Sequence, residues 1–385
     1  EKEIIKFSPI SQSLKAPHFV IWIKGLLEEK YGSDFLMEKG LMVYTSLDWE
    51  LQRAVEKTIK DRDKTNRSFG AYNSAAVVID PKTGQILALA GSKDFFGESY
   101  PKDCLSGKDC FFEPQFNVAL ASRQPGSSFK PFVYAAAFEN GHDDKTTVVD
   151  EQTSFGFWGD KEYIPQNYDG LFRGSVSLRQ SLAQSLNIPS IKVLLWLAGL
   201  EDSVKTAQGM GLTTLSPPFG PSLVLGGYEV KLLEMVSAYG TFADNGLWYK
   251  PEPILRIEDN QGNIIERNQS FPKRVLSPRT ATLINDILSD NEARAPIFGF
   301  NSVLSFPGLA VAVKTGTTQD YRDGWTIGYA TSVVVGVWSG NNNNASILKE
   351  PGVSSAGPIF HEIMIKALSQ RPGQKFSKTT PISGY

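Results

Sequence analysis

The sequence predicts an α+β fold in which one antiparallel sheet is assembled from both ends of a domain. Apolar, strand-like segments occur early in the chain and again from residue 308, whereas the pattern from about residue 177 to 300 is mostly helical. Short polar turns join the late strands, which favours antiparallel pairing. We therefore expect a sheet flanked by helices, with a helical lobe inserted between the two halves of the sheet.

The first elements form a small N-terminal linker subdomain in this prediction. Residues 17–31 are expected to form an amphipathic helix, because a proline opens the segment and a glycine follows it. Residues 41–45 predict a strand, and Asp48 is the predicted N-cap of a second helix. The charged segment 60–70 marks the expected end of this subdomain.

The second, larger domain begins with a predicted β-hairpin, in which the turn PKTG separates SAAVVID from QILALAG. Its last predicted helix runs through PIFHEIMIKALSQ. The predicted divisions are residues 1–70 for the linker subdomain, 71–370 for the larger domain and 371–385 for a polar tail.

Composition excludes some function classes. The 39 basic and 41 acidic residues leave a net charge of −2, which gives no electrostatic reason to expect nucleic acid as a partner. Three histidines and two cysteines lie too scattered to suggest a zinc site, and we predict no metal. Cys104 and Cys110 share a loop rich in glycine and aspartate. They are either a small disulfide, in an oxidising compartment, or two reduced thiols.

No apolar run approaches the roughly 18–20 residues that span a bilayer. The chain starts with Glu-Lys and shows no signal peptide. Two expectations follow: a cytoplasmic protein, or the soluble part of a longer protein that is targeted elsewhere.

The stretch RQPGSSFKPF holds the first candidate catalytic residues, Ser127, Ser128 and Lys130. A serine hydroxyl needs an adjacent base to become a good nucleophile. Residues three apart on a helix share a face, whereas residues two apart do not. If this segment opens a helix, Ser127 shares its face with the amine of Lys130 and Ser128 does not.

The pattern S-x-x-K is not specific by itself, since it also occurs at Ser99/Lys102, Ser270/Lys273 and Ser346/Lys349. Of the four matches, only the one at Ser127 precedes a good helical run. Pro131 complicates this interpretation, because a proline disfavours helical geometry at the residue before it. An irregular first turn is therefore expected.

Two later patterns supply further candidates. Ser185 and Asn187 are expected at the C-terminal end of a helix that a Ser177/Gln180 capping box begins and that Pro189 helps to end. Ser289-Asp290-Asn291 is a rival match to S-x-N. Lys314-Thr315-Gly316 lies on a predicted strand, where alternation puts the lysine and the threonine on opposite faces. A second copy, Lys82–Gly84, lies in the early hairpin turn and is predicted to be structural.

The ordered set S-x-x-K, S-x-N and K-T-G resembles the signature of the penicillin-binding and serine β-lactamase superfamily. The flanking segments are similar to the transpeptidase domain of class A penicillin-binding proteins, and the segment 16–52 looks like the linker that precedes it in that family. The segments that carry the resemblance are RQPGSSFKPF, NYDGLFRGSVSLRQSLAQSLNIPSIKV, LGGYEVKLLEMVSAYGTFADNG and VAVKTGTTQDYRDGWTIGYA. The resemblance implies a β-lactamase/transpeptidase-like fold, and it selects Ser185 over Ser289.

Carried over residue by residue, the resemblance implies four catalytic roles. Ser127 attacks the carbonyl of a D-Ala-D-Ala stem peptide, and Lys130 accepts its proton. Ser185 relays a proton towards the leaving amine, and Lys314 supplies positive potential.

The resemblance also implies a substrate-binding set, and no cofactor. Asn187 holds the side-chain amide of the donor peptide, Thr315 and Thr317 bind the terminal carboxylate, and the backbone N–H groups of Ser127 and Thr317 form an oxyanion hole. Gly316 and Thr318 complete the set. The implied partners are peptidoglycan stem peptides, as donor and as amine acceptor, and β-lactam antibiotics.

Three activities remain open on the sequence: a D,D-transpeptidase, a hydrolase of the carboxypeptidase or β-lactamase type, and a penicillin-sensing receptor domain. No E-x-x-L-N segment, which activates water in class A β-lactamases, occurs between Asn187 and Lys314. The family's glycosyltransferase domain and membrane anchor have no counterpart here. We therefore expect a truncated form of an extracytoplasmic protein that is membrane-anchored at full length.

Overall fold

The computed structural model describes residues 14–158, 160–348 and 352–377. Helices α1 to α11 are, in chain order, Pro17–Tyr31, Ser33–Lys39, Trp49–Ser68, Lys130–Glu139, Leu178–Ala183, Asn187–Lys192, Leu200–Gly209, Leu232–Ala243, Pro278–Ser289, Asn291–Phe298 and Gly352–Gln370. Strands β1 to β16 are Met42–Thr45, Asn73–Ile79, Ile86–Ala90, Ser122–Arg123, Thr147–Asp150, Phe157–Trp158, Lys161–Glu162, Gly174–Ser177, Val230–Lys231, Leu247–Trp248, Ile254–Glu258, Ile264–Arg267, Lys273–Arg274, Ala312–Thr317, Asp323–Ala330 and Val333–Gly340.

The central sheet has five antiparallel strands in the order β14-β15-β16-β2-β3. Strand β16, near the end of the chain, pairs with β2, near its start, so that Trp338 lies opposite Ala75. The predicted assembly of one sheet from both ends of the domain is confirmed. The inserted lobe is formed by helices between β3 and β14 that pack on one another, namely α4, α5, α7, α9 and α10.

Both faces of the sheet are covered by helices, which explains why its late strands are almost continuously apolar. Successive residues of β16 alternate between two cores: Val334 packs with the residues of α8 on one face, and Val335 packs with those of α11 and α3 on the other. Trp325 lies opposite Trp338 in neighbouring strands, and both side chains are fully buried.

The N-terminal elements form where the sequence predicts them. Helix α1 spans the predicted residues, and the Asp48 carboxylate accepts a hydrogen bond from Leu51 N at 3.1 Å at the start of α3. Segment 60–70 continues α3 as far as Ser68, because most of its polar side chains lie on the outer face of a helix whose inner face packs against β3 and α11, and the buried Asn66 bonds Ser74 and Ser339 of the sheet. The division of the chain at residue 70 stays a prediction.

Strand β1 pairs with β11, and β12 completes a small antiparallel sheet. This pairing joins the N-terminal segment to residues from the middle of the chain. The sequence pattern predicted β1 but not its partner, because strand pairing between distant segments leaves no local signal.

Cys104 and Cys110 are bonded to each other, with their Cα atoms 5.2 Å apart. Of the two states that the sequence left open, the structure has the disulfide. Asp109 lies near both sulfurs, but sulfurs joined in a disulfide are not thiolate ligands for a metal. Among the described residues, none of the helices has the length and hydropathy that crossing a bilayer requires.

Candidate active site

The two serines of the S-x-x-K segment lie in a 3₁₀ turn, Gly126–Phe129, which runs directly into α4. Side chains at positions i and i+3 of a 3₁₀ turn are eclipsed, so Ser127 and Lys130 lie on the same side. Lys130 has helical angles (φ −50°, ψ −43°) in spite of Pro131. Pro131 is tolerated because it lies in the first turn of α4, where its missing N–H would have no helical partner.

Ser127 and Ser128 have different environments. Ser128 is fully buried, its hydroxyl donates to Pro125 O at 2.6 Å, and its carbonyl accepts from the Tyr239 hydroxyl at 2.6 Å. Ser127 is only half-buried, and no hydrogen bond to the described residues holds its hydroxyl. Ser128 is thus part of the packing of the turn, whereas the Ser127 hydroxyl is free to contact a ligand.

The Lys130 side chain is completely buried. Its amine donates to three oxygens of one turn: Ser185 O at 2.6 Å, Leu186 O at 3.1 Å and Asn187 Oδ1 at 2.9 Å. Burial, and then the charge of Lys314, lower the pKa of Lys130 well below its ordinary value. The amine therefore gives up its proton far more readily than a surface lysine does.

Ser185 lies between two helices. Its backbone is left-handed (φ 60°), its hydroxyl accepts from Lys314 Nζ at 2.8 Å, and Lys130 Nζ is 3.4 Å away. A residue other than glycine is strained in this conformation, and such strain concentrates at functional sites.

Asn187 opens α6, and this corrects one sequence prediction. The sequence predicts that Ser185 and Asn187 lie at the C-terminal end of a helix that Pro189 helps to end; instead α5 ends at Ala183, and Pro189 lies in the first turn of α6, where proline is tolerated. The predicted capping box at the start of α5 is confirmed. The Asn187 amide donates to Gln166 O at 2.9 Å and accepts from Lys130, so one N–H and one lone pair of the amide stay available to a ligand.

Lys314 projects from β14 towards Ser185 and also donates to Thr315 O at 2.9 Å. Burial, and then the positive charge of Arg294, lower the pKa of Lys314 to about 7. Arg294 is itself buried and donates to Leu288 O at 2.6 Å. The described site thus contains two buried amines that face the same serine hydroxyl.

Strand β14 lies directly against the 3₁₀ turn. A Cβ atom added to Gly316 would lie 2.2 Å from Pro125 O, and one added to Gly126 would lie 2.9 Å from Thr317 N. Such distances are far below van der Waals contact, so each glycine allows a backbone approach that a side chain would prevent. The backbone of Thr317 is thereby brought next to the turn that carries Ser127.

The three threonines at the end of β14 and just after it differ in their contacts. Thr315 is buried, and Thr317 Oγ1 accepts from Gly352 N at 2.7 Å. Thr318 Oγ1 accepts from Arg322 N and Asp323 N and contacts the Asp323 carboxylate, at 3.1, 2.8 and 3.3 Å. Because the Thr318 hydroxyl is used by its own loop, the geometry favours a structural role for it over the predicted contact with substrate.

The other matches to S-x-N and S-x-x-K that fall within the described residues lie outside the site and have structural roles. Ser289 Oγ donates to Asn285 O at 2.7 Å within α9, and Asp290 caps α10 by accepting from Ala293 N. Ser270 Oγ bonds Lys250 O at 3.2 Å. Lys102 follows the cis peptide bond between Tyr100 and Pro101 in a loop. The match at Ser346 involves Lys349, which lies outside the described residues.

Sequence reasoning missed two residues next to the site, Asn167 and Arg294. Asn167 lies in NYDGLFRG, a segment that contributes to the family resemblance but contains none of the three motifs. Its amide oxygen, Oδ1, accepts a hydrogen bond from the backbone N–H of Asn187 at 2.8 Å. Neither residue belongs to a spacing pattern with the catalytic candidates, so no local signal identifies them.

Comparison with known proteins agrees with this geometry. The family described as "Penicillin binding protein transpeptidase domain" matches residues 74–365. Penicillin-binding protein 2D of Bacillus subtilis is 31% identical over 395 residues, covering 100% of this chain and 54% of that protein. Penicillin-binding protein 1A of Aquifex aeolicus is 34% identical over 307 residues, covering 78% of this chain and 39% of that protein. The chain thus spans about half or less of the length of these relatives.

Solved structures share the fold. Penicillin-binding protein 1A of Haemophilus influenzae superposes with a TM-score of 0.79 at 20% identity, covering 96% of this chain and 72% of that one. PonA1 of Mycobacterium tuberculosis, in complex with penicillin V, gives 0.78 at 24% identity, covering 96% and 98%. The predicted fold class is confirmed. With the match over residues 74–365 and the three motifs in contact with one another, the chain belongs to the penicillin-binding protein transpeptidase domain family.

Proposed function

We propose that this chain is a serine D,D-transpeptidase that cross-links peptidoglycan stem peptides through an acyl-enzyme on Ser127 and is acylated by β-lactams. One observation carries the proposal: the amines of Lys130 and Lys314 meet at the hydroxyl of Ser185, at 3.4 and 2.8 Å. Burying two lysines together costs desolvation free energy. A site that needs a neutral amine, on Lys130, beside a charged one, on Lys314, explains why both are buried.

Acylation uses the pair in the 3₁₀ turn. Ser127 Oγ attacks the carbonyl carbon of the penultimate D-alanine, and its proton passes to the amine of Lys130, whose pKa is lowered by burial and by Lys314. The C–N bond then breaks, and the terminal D-alanine leaves as an amine that takes up a proton through Ser185. With a β-lactam, the same attack opens the ring amide, and the severed amine stays attached to the acyl group.

One contact of this mechanism is absent from the described site, since Lys130 donates to Ser185, Leu186 and Asn187 and not to Ser127. Catalytic hydrogen bonds are commonly long in a free enzyme and tighten when substrate binds. We propose that the amine of Lys130 turns to Ser127 in the substrate complex.

Residues of β14 and α6, with the turn of Ser127, would bind the substrate and stabilise the oxyanion. The backbone N–H groups of Ser127 and Thr317 would stabilise the oxyanion, which the close approach of β14 to the turn supports. Thr315 and Thr317, with the charge of Lys314 behind them, would bind the terminal carboxylate. The N–H and lone pair that Asn187 retains would hold the amide of the donor peptide.

In the second step an amine from a neighbouring stem peptide attacks the ester carbonyl, which releases the Ser127 hydroxyl and forms the cross-link. We propose that the full-length protein acts outside the cytoplasm, with the membrane anchor and glycosyltransferase domain that the resemblance implies. The matched relatives extend well beyond this chain, which supports the proposal.

Labelling with a fluorescent penicillin tests the nucleophile. The parent chain is expected to be labelled, Ser127→Ala to lose the label, and Ser128→Ala, the matched neighbour, to keep it. Label on Ser127→Ala would contradict the assignment.

Products then separate transpeptidation from its alternatives. Incubation with glycan chains that carry pentapeptides is expected to yield cross-linked dimers by mass spectrometry. Tetrapeptide monomers alone would indicate a carboxypeptidase. Rapid loss of the penicillin label in water would indicate a β-lactamase, and stable labelling without peptide products would indicate a receptor.

A further inference from the structure

Asn167 is a buried asparagine whose amide joins two distant elements. It is 4% exposed. Its Nδ2 donates to both oxygens of Asp150, at 2.8 and 2.9 Å, and to Leu171 O at 2.8 Å. Its Oδ1 accepts from the backbone N–H of Asn187 at 2.8 Å and lies 3.4 Å from that of Ile188.

Asp150 determines which way the Asn167 amide points. This carboxylate ends β5, is fully buried, and also accepts from Arg173 N at 3.1 Å. A carboxylate only accepts hydrogen bonds, so the NH₂ group of Asn167 must face it. The amide oxygen is then left to face α6.

Helix α6 needs this acceptor. The first N–H groups of a helix have no partner within it and are usually capped by the side chain at the N-cap position. That position is Leu186, which has no polar side chain, and no side-chain cap is present. Asn167, twenty residues earlier in the chain, supplies the missing oxygen.

The turn that is capped in this way holds the lysine of the site. Lys130 donates to the carbonyls of Ser185 and Leu186 and to the side chain of Asn187. Ser185 is held in a left-handed conformation. Such a conformation persists only where surrounding contacts enforce it, and the bonds from Gln166 O and Asn167 to Asn187 are contacts of this kind.

We propose that Asn167, oriented by Asp150, is a positioning residue that fixes the Ser185–Asn187 turn and thereby the amine of Lys130. The proposal rests on the proposed function, because its effect is on the acylation of Ser127. Asn167 does not itself touch the reacting atoms; it acts through Asn187.

The test exchanges donor and acceptor. Asn167→Asp places a second carboxylate next to that of Asp150. It also removes the NH₂ group that donates to Asp150 in the parent. The double variant Asp150→Asn/Asn167→Asp reverses the pair: the new amide donates to the new carboxylate, which still accepts from Asn187 N and loses only the bond to Leu171 O. Asn66→Asp is the matched control, since Asn66 is also 4% exposed and bonds Ser74 and Ser339 of the sheet.

Acylation by fluorescent penicillin is followed by stopped-flow, and rates are corrected for the folded fraction measured by circular dichroism. We expect Asn167→Asp to lower the acylation rate constant on the order of tenfold or more, as displaced catalytic groups do, with little change in the dissociation constant of the unreacted complex. The reversed pair should recover part of the rate, because it restores the bond to Asn187 N but not the bond to Leu171 O, and folded Asn66→Asp should react as the parent does.

A parental rate in Asn167→Asp, or a reversed pair no faster than Asn167→Asp, would overturn the positioning role. If Asn167→Asp does not fold, Asn167→Ala takes its place, with the same loss expected and a parental rate again overturning the role. A parent chain that is not labelled at Ser127 would instead refute the proposed function, and the positioning role with it.

Discussion

Two copies of the tripeptide Lys-Thr-Gly occur in this chain, and they differ in almost every physical respect. In the first, Lys82 is exposed, and its backbone N–H bonds the Asp80 carboxylate at 2.9 Å in a hairpin turn. In the second, Lys314 is 3% exposed, and its amine bonds the hydroxyl of Ser185 at 2.8 Å. The tripeptide alone therefore carries no function; what differs is the set of elements packed around it.

Both copies require their glycine, for different reasons. Gly84 has a left-handed backbone (φ 72°), and a Cβ there would lie 2.2 Å from Lys250 O. Gly316 has ordinary strand geometry, but a Cβ there would lie 2.2 Å from Pro125 O, in the turn of Ser127. The first glycine allows a turn, and the second allows two parts of the site to meet.

The largest expected difference between the copies concerns their lysines. Below pH 7, where Lys314 is protonated, Lys314→Ala should lower the rate of penicillin acylation on the order of a hundredfold or more, because it removes a preorganised charge from a buried site. Lys82→Ala should leave the rate unchanged. Stopped-flow labelling of both variants checks this. Equal acylation rates in Lys314→Ala and Lys82→Ala would show that the two copies of the tripeptide do not differ in function.

A smaller difference is expected for the glycines. Gly84→Ala and Gly316→Ala should each lower the free energy of unfolding by about 1–3 kcal/mol, since each forces a backbone clash. Only Gly316→Ala should also slow acylation of the folded protein, on the order of tenfold, because it separates β14 from the turn of Ser127. Urea unfolding and labelling are measured on the same preparations. Slower acylation of folded Gly84→Ala would contradict the structural role of the first copy of the tripeptide.

The smallest expected difference concerns pH. The pKa of Lys314 is lowered from 10.5 to about 7 by burial and by Arg294, so between these two values the unfolded chain binds a proton that the folded chain lacks. The contribution of Lys314 to the free energy of unfolding should therefore rise with pH over this window, by up to about 1.4 kcal/mol per pH unit.

Lys314→Met should remove this contribution, whereas Lys82→Met should keep the dependence of the parent. Urea unfolding at pH 7, 8 and 9 compares the three chains. Identical pH slopes in the parent and in Lys314→Met would show that Lys314 is not desolvated in the folded protein.

Much of the fold follows from local pattern. Helix α1, the cap at Asp48 and the early hairpin are each determined by residues within a few positions of one another, and they form where the sequence predicts them. The pairing of β1 with β11 and the continuation of α3 through segment 60–70 depend on distant partners, and the sequence pattern did not predict them.

The candidate site divides in the same way. Motif order and resemblance identify Ser127, Ser185 and Lys314, and the structure brings the S-x-x-K, S-x-N and K-T-G segments together. The positions of Pro131 and Pro189 were harder to interpret, because a proline is tolerated in the first turn of a helix and disfavoured one turn later. Asn167 lies outside every motif, since it acts through a backbone N–H that any residue except proline could supply.

The closure of the sheet by its last strands determines when the site can exist. The hydroxyls of Ser74 and Ser339 are 2.9 Å apart across β2 and β16, although 265 residues separate them in sequence. Contacts between such distant segments form only after long stretches of chain have been brought together. A chain still on the ribosome would carry Ser127 and Lys130 long before β14 is made. Reactivity towards penicillin should thus appear only after β14, β15 and β16 have been made and β16 has paired with β2.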